Sequence, residues 1–478
     1  MFKIIPTLIP KIFLIFFTIF GAQSLAFYEG KNCTKGFNNT KTCQLLSTFK
    51  VNILGRYLLD LSSESVKSLV KIYQTNTTSG LTAQNMSQVR NRFDNFRSGF
   101  TFFYKSGSRK NAGYLILATA DKNNDGEPML ELWDLSNQSL LYKWEISAKE
   151  IIDKVGLKTK KNSTRIYHPL ITADGNVIAR IEDFLIKISP SGELIKFNKE
   201  FIFHHSIEID SQGYLYAPIR NKKGDNMSDG FAILDQNLNI IKTFYLKNIY
   251  EKAGLNYKIN TPFPSFDPFH LNDVQPLLDS NKTKFVLLSI RNQSSIMALD
   301  LKNKKVPWIL EGYSNWQHDV DILDDEARVV SVFDNNVYLD ENGLPRTKVN
   351  YHTTIFNLPS LIDSGSEKMK IFNYTSNHNG EEKLLVKKIT FDSLDQRLVP
   401  KTVTEGSSEY LSENDSTFIE ETNYGRLFEL DNKTKKILWT YINRQNKKNI
   451  YFMPSWSRRI NKLPNGMQDY FLKLSKSL

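Results

Sequence analysis

One phrase returns along this chain at a near-regular interval, and that repetition restricts the fold more than any other feature of its 478 residues. A short strand ends on an aliphatic residue, mostly followed by Asp; a turn of Asn, Lys, Gly or Asp follows, and a second strand ends on an aromatic or aliphatic residue. The phrase occurs as Leu132-Trp133-Asp134 to Trp144, Ile186-Lys187-Ile188 to Ile195 and Ile233-Leu234-Asp235 to Phe244. It returns as Ala298-Leu299-Asp300 to Trp308 and Phe428-Glu429-Leu430-Asp431 to Trp439. This is the pattern of the outer hairpin of a four-stranded blade. With one more unit between Val320 and Ile389, where inserted loops over 337–400 obscure the pattern, there are six units of roughly 50 to 60 residues. The spacing predicts an all-β fold, a six-bladed β-propeller over residues 99–478, rather than a β-sandwich, which has no reason to repeat one phrase radially. Aromatic residues at 12% and hydrophobic residues at 40% supply a strand-forming core.

The flanks read differently. Lys3 and Lys11 precede an apolar run from Ile12 to Ala22, with small residues Ser24 and Ala26 at cleavage spacing. Residues 1–26 therefore read as a secretory signal peptide or, if uncleaved, a membrane anchor, and the mature chain is expected in the periplasm or another extracytoplasmic space. Residues 27–98 form a lead-in; Leu59 to Tyr73 carries Leu and Val at helical spacing, which predicts one or two short helices. Residues 445–478 complete the last blade or strap the ring shut. Cys33 and Cys43 suit one local disulfide in an oxidising compartment, and no second pair or nearby His completes a metal site. The net charge of +11 is spread as single Lys residues; without a basic stripe it argues against nucleic acid and favours small anions. The stretch at 121–128, DKNNDGEP, starts like a calcium loop, but Leu132 stands where the closing Glu belongs, so it reads as a hairpin turn. Oligomeric state is not readable.

Five of the seven histidines fall at one phase of the repeat, at or just before the first strand of a unit: His168, His204, His205, His270 and His318. His352 and His378 lie in the insert. First strands of propeller blades line the central channel, so these imidazoles should converge on its rim. Alternation places His205 on the face of Ile207 and Ile209, and His318 on that of Val320 and Ile322, so His205 is preferred to His204. A convergent set of this kind is a metal site, an anion site or a nucleophile with helpers. Asp273 and Asp319 lie off the inward face, whereas Arg291, on the second strand of the unit of His270, offers a fork of donors matched to a sulfate or phosphate oxyanion. Trp316 and the Tyr residues can stack on an aromatic ring or pack at a blade edge.

The segments FHLNDV, LLSIRNQSSI, LDLKNKKVPWIL and WQHDVDILDDEARVVSVFDNN resemble the core motifs of the aryl sulfotransferases, also called arylsulfate sulfotransferases. The resemblance covers roughly residues 100 to 455 and is strongest from 200 to 340. It implies a periplasmic six-bladed propeller that moves a sulfuryl group from an aryl sulfate donor to a phenolic acceptor through a sulfated histidine, with no soluble cofactor. By motif, His318 is that histidine, and His205, His270, Asn272 and Arg291 are the sulfate-binding group. Asn292 stands where the family often carries another His. Two other readings remain at this stage: a binding or scaffold propeller without the chemistry, and a sulfate or phosphate ester hydrolase on the same site.

Overall fold

The computed structural model describes residues 93, 96–121, 127–156, 165–222, 226–259, 267–277, 285–323, 329–339, 345–347, 351–357, 369–373, 385–391, 394, 395, 398–400, 402, 404–445, 450–464 and 466–477. The chain divides into two compact units, and the second, Ala83–Tyr338 with Arg346–Leu478, holds the propeller. The signal or anchor segment, Leu59 to Tyr73, both cysteines and His378 lie outside the described residues.

Six antiparallel sheets make the blades. Blade 1 joins Arg458–Ile460, Tyr114–Ala120, Pro128–Asp134 and Ser139–Trp144; blade 2 joins Ile166–Ile171, Val177–Ile181, Phe184–Ile188 and Leu194–Asn198. Blade 3 joins Glu208–Ile209, Leu215–Arg220, Gly230–Leu234 and Ile240–Tyr245; blade 4 joins Leu271–Pro276, Phe285–Ile290, Ser295–Asp300 and Trp308–Glu311. Blade 5 joins His318–Ile322, Val329–Phe333, Tyr351–Asn357 and Leu385–Thr390; blade 6 joins Ser407–Leu411, Ser416–Glu421, Arg426–Asp431 and Ile437–Ile442. The repeated phrase is the hairpin of the third and fourth strands. Its Asp closes the turn on the backbone: Asp134 Oδ1 accepts the Asn137 N–H at 2.9 Å, Asp235 Oδ1 the Asn237 N–H at 2.8 Å and Asp300 Oδ1 the Lys302 N–H at 2.8 Å. In blade 2, which lacks the Asp, Ser189 Oγ accepts the Glu193 N–H at 3.1 Å.

Both faces of a blade are buried, and strand alternation divides them between neighbours. In Tyr114–Ala120, Ile116 and Ala118 pack against blade 2, while Leu115 and Leu117 pack against blade 6. The other interfaces follow suit, so the core is six apolar layers arranged as spokes. Each buried Leu or Ile contributes about 1.5–3 kcal/mol.

The ring closes at both ends of the chain. Gly99–Phe102 adds a fifth, outermost strand to blade 6, with Gly99 opposite Ile442, and Arg458–Ile460 supplies the innermost strand of blade 1, with Ile460 opposite Tyr114. Residue 99 thus belongs to the last blade rather than the first. The insert supplies the two outer strands of blade 5, and from it Lys370–Asn373 leaves to pair in parallel with Trp308–Glu311 of blade 4. No helix of the described residues is long and apolar enough to cross a membrane.

Side chains staple the heads of five of the six inner strands to the preceding blade, and in blade 2 the His168 N–H donates to the Ser455 carbonyl at 3.0 Å. Ile207 N–H donates to His168 Nδ1 at 2.7 Å, Leu271 N–H to Asp229 Oδ2 at 2.8 Å and Val320 N–H to Asp273 Oδ2 at 2.9 Å. Ser408 N–H donates to Asp319 Oδ2 at 2.8 Å and Trp456 N–H to Glu420 Oε1 at 2.8 Å. Asp273 and Asp319 are therefore occupied in holding blades together.

Candidate active site

The heads of the inner strands share an unusual backbone. His168 (φ 51°), His205 (φ 56°), His270 (φ 52°), Trp316 (φ 57°) and Trp456 (φ 57°) all lie in the left-handed region, and blade 6 has Gly406 (φ 140°) there. A side chain at Gly406 would meet the Phe333 ring, with Cε1 only 2.3 Å from its Cβ. For non-glycine residues this conformation costs about 1–3 kcal/mol each, and such strain concentrates at ligand sites.

This backbone overturns the alternation argument. Ile207 lies in the apolar layer between blades 2 and 3, whereas the ring of His205 faces His270 and His318, with centroids 5.0 and 5.6 Å away. A positive φ at His205 breaks the two-residue period, and a bulge between His318 and Val320 does the same in blade 5. His204 turns aside, its Nε2 3.1 Å from Asp229 Oδ1.

His318 is fully buried, and its tautomer is set by its partner. Nδ1 lies 2.6 Å from Asn335 Oδ1, while the Asn335 amide donates to the Thr402 and Glu405 carbonyls at 3.2 and 3.1 Å. The Asn335 oxygen must then accept, so Nδ1 carries the proton and Nε2 the lone pair. Nε2 is buried with no hydrogen-bond partner among the described residues. Burial first, and then the Arg291 charge, hold this imidazole well below its ordinary range, against the Asn335 bond, which favours the charged form.

Two further imidazoles form a chain beside it. Asp267 Oδ2 lies 2.6 Å from His270 Nδ1, and His270 Nε2 lies 3.1 Å from His205 Nε2. Burial alone would raise the Asp267 carboxyl, but His270 beside it and Arg220, bonded at 3.0 Å, hold it well below the usual range. Burial lowers both histidines; Asp267 opposes this at His270, whereas the neighbouring His270 adds to it at His205.

Arg291 follows the second strand of blade 4, its N–H bonded to the His270 carbonyl at 3.2 Å. Its guanidinium stacks on the Trp316 ring at 4.2 Å, Nη1 donates to Asn292 Oδ1 at 2.8 Å, and Nε has no partner. Burial lowers its pKa to about 10, so it stays charged at neutral pH. Asn292 in turn donates to the Asp267 carbonyl at 2.7 Å, tying the guanidinium to the Asp267 loop.

Asn272 and His168 take supporting places. Asn272 Nδ2 donates to the carbonyl of Gln317 at 2.7 Å, just before His318. His168 accepts at Nδ1 the staple from Ile207, and its Nε2 faces Glu208 Oε1 at 3.3 Å and Arg458 Nη2 at 2.8 Å, so neither nitrogen is open to a substrate. Trp456, which sequence reasoning passed over, packs its ring within 5.9 Å of His205 and His318 and 5.4 Å of His168. Asn335 and Asp267 were passed over as well. Asn335 lay inside a quoted motif, VFDNN, and Asp267 three residues ahead of His270.

Two family models, each described as "Arylsulfotransferase (ASST)", match this chain, one over residues 141–320 and the other over 237–444. The chain belongs to the arylsulfotransferase family. Membership makes it a sulfotransferase with small aryl donors and acceptors; His270 and His318 lie in both matched ranges and His205 in the first. Among curated proteins, none matches. Solved structures similar to this arylsulfotransferase include a protein of unknown function from Bacteroides caccae, at 8% identity over 72% of this chain and 99% of that one, TM-score 0.40. The Myceliophteria thermophila Cps50 (Swd1) beta-propeller domain is similar at 11% identity over 72% and 86%, TM-score 0.39.

Proposed function

We propose that this arylsulfotransferase works by a ping-pong route through a sulfated His318, without a soluble cofactor. One observation carries the reading: Nε2 of His318 is a buried lone pair, fixed in tautomer by Asn335 and left without a partner. A neutral imidazole so held is an activated nucleophile. Nε2 attacks the sulfur of an aryl sulfate, the N–S bond forms, and the S–O bond breaks with its electron pair going to the phenolate oxygen. That oxygen takes a proton held between His205 and His270, a site that Asp267 makes more basic. Arg291 holds the equatorial oxygens of the transferring group. An acceptor phenol then gives its proton to the same pair and attacks sulfur, and the N–S pair returns to Nε2. The secretory features of residues 1–26 support action outside the cytoplasm.

With 4-nitrophenyl sulfate alone, the protein should release one equivalent of 4-nitrophenol and stop, and the peptide containing His318 should gain the mass of one sulfuryl group. Added phenol should restart release. Continuous release without acceptor would mean hydrolysis, and no release with or without acceptor would mean a scaffold; either overturns the proposal.

The pH dependence has a defined sign. Protonation of His318 removes the lone pair, and its pKa is held well below 6.5, so activity is lost only as pH falls below that value. Arg291 loses its charge as pH rises through about 10. The rate of the donor burst should thus be flat from pH 6.5 to about 9, and an acid limb centred at or above 6.5 would contradict the assignment.

A further inference from the structure

We propose that Arg180, stacked on Tyr167, forms a second anion subsite at the channel mouth that receives a carboxylate on the ring of the acceptor phenol. The subsite rests on the transfer reading for its occupant, though its binding test does not.

The ends of second strands deliver a guanidinium from three successive blades: Arg180 in blade 2, Arg220 in blade 3 and Arg291 just beyond the strand in blade 4. Arg180 lies opposite Tyr167, the neighbour of His168, much as Arg291 is bonded to the carbonyl of His270. Their surroundings then diverge. Arg220 is neutralised by Asp267 at 3.0 Å and Asp229 at 3.8 Å, and the nearby Arg165 by Glu405 at 3.0 Å. Arg180 and Arg291 form no ion pair with a described carboxylate, and each has a buried Nε without a hydrogen-bond partner. Each lies over an aromatic ring, Arg291 at 4.2 Å from that of Trp316 and Arg180 at 3.7 Å from that of Tyr167. They are alike in exposure too, at 9% and 7%.

A buried cation with no carboxylate within ion-pair distance, Arg180 feeling Asp183 and Glu405 only from farther off, keeps a desolvation cost that an anionic ligand can offset. One such guanidinium suits the sulfuryl group at His318. The second belongs to blade 2, where Arg180 is paired across the strands with Tyr167, the residue before His168 at the strand head. A planar ring carrying a carboxylate and a reactive hydroxyl presents two polar ends for two such places. Nη1 of Arg180 donates to the Glu182 carbonyl and the Tyr167 ring, with Arg165 4.4 Å from its centroid as well, packs against the guanidinium, so a bidentate contact falls to Nε and Nη2.

Calorimetry with 4-hydroxybenzoate and its methyl ester tests this. The wild-type protein should bind the acid about tenfold tighter or more, the size of a charge-assisted hydrogen-bonded pair. Arg180→Gln should erase the preference while leaving ester binding unchanged, and Arg180→Lys should keep part of it. Equal affinities in the wild type overturn the subsite whether or not the variants fold. A preference that survives Arg180→Gln overturns it too. A preference present without any sulfuryl transfer would sink the ping-pong proposal and leave the subsite standing.

Discussion

His318→Asn is expected to release no phenol from an aryl sulfate, with a loss of about 10⁴-fold or more in the donor half-reaction, the scale seen when a covalent nucleophile is removed. The substitution deletes Nε2, the one buried imidazole nitrogen of the cluster that has neither a partner nor a proton in the tautomer Asn335 imposes. It leaves Arg291, His205 and His270 in place. Donor affinity, measured by calorimetry, should therefore change little while the burst vanishes. The separation matters, because a purely structural role for His318 would lower binding and turnover together. Loss of the bond to Asn335 costs about 1 kcal/mol, too little to unfold six packed blades, and the melting curve should remain cooperative. A burst of normal size and rate in this variant would remove His318 from the chemistry.

Residue types at one repeated phase were legible in the sequence; contacts between distant stretches were not. The phrase stood out because Asp134, Asp235, Asp300 and Asp431 each serve the same turn, a local job that leaves a local mark. Blade 5 was obscured because its outer strands, Tyr351–Asn357 and Leu385–Thr390, are separated by a segment that also lends a strand to blade 4. The closing pair of Ile460 with Tyr114 joins opposite ends of the chain and has no period to reveal it. Histidines marked the blade heads, but their direction was misread, since alternation assumes extended backbone and His205 has a positive φ. His168 shows the limit of reading by phase: it occupies the same position as His205, yet both its nitrogens are taken by blades 3 and 1. Asn335 and Trp456 carry no mark in their own neighbourhood. One matters through the tautomer it imposes on a residue of the adjacent strand, the other because the closing strand brings it to the channel.

Arg291→Met should reduce the donor half-reaction by about 10²–10³-fold, the effect of removing one positioned oxyanion donor, equivalent to roughly 3–4 kcal/mol. Met keeps much of the stem length and the contact with Trp316 but removes the charge and the unpartnered Nε. Arg291→Lys should recover only part of the rate, because a point charge cannot span two oxygens as the planar fork does. A second signature separates chemistry from packing. The Arg291 charge is, after burial, the next cause that lowers the His318 pKa, so its removal lets that pKa rise. The acid limb of the burst should move to higher pH in Arg291→Met and stay near its original position in Arg291→Lys, where the charge remains. A rate loss with an unmoved acid limb would mean that the guanidinium acts on the fold alone. A limb that moves without a rate loss would mean that the transferring oxygens are held elsewhere. Only both changes together place one guanidinium where it can keep the nucleophile neutral and hold the charge of the transferring group.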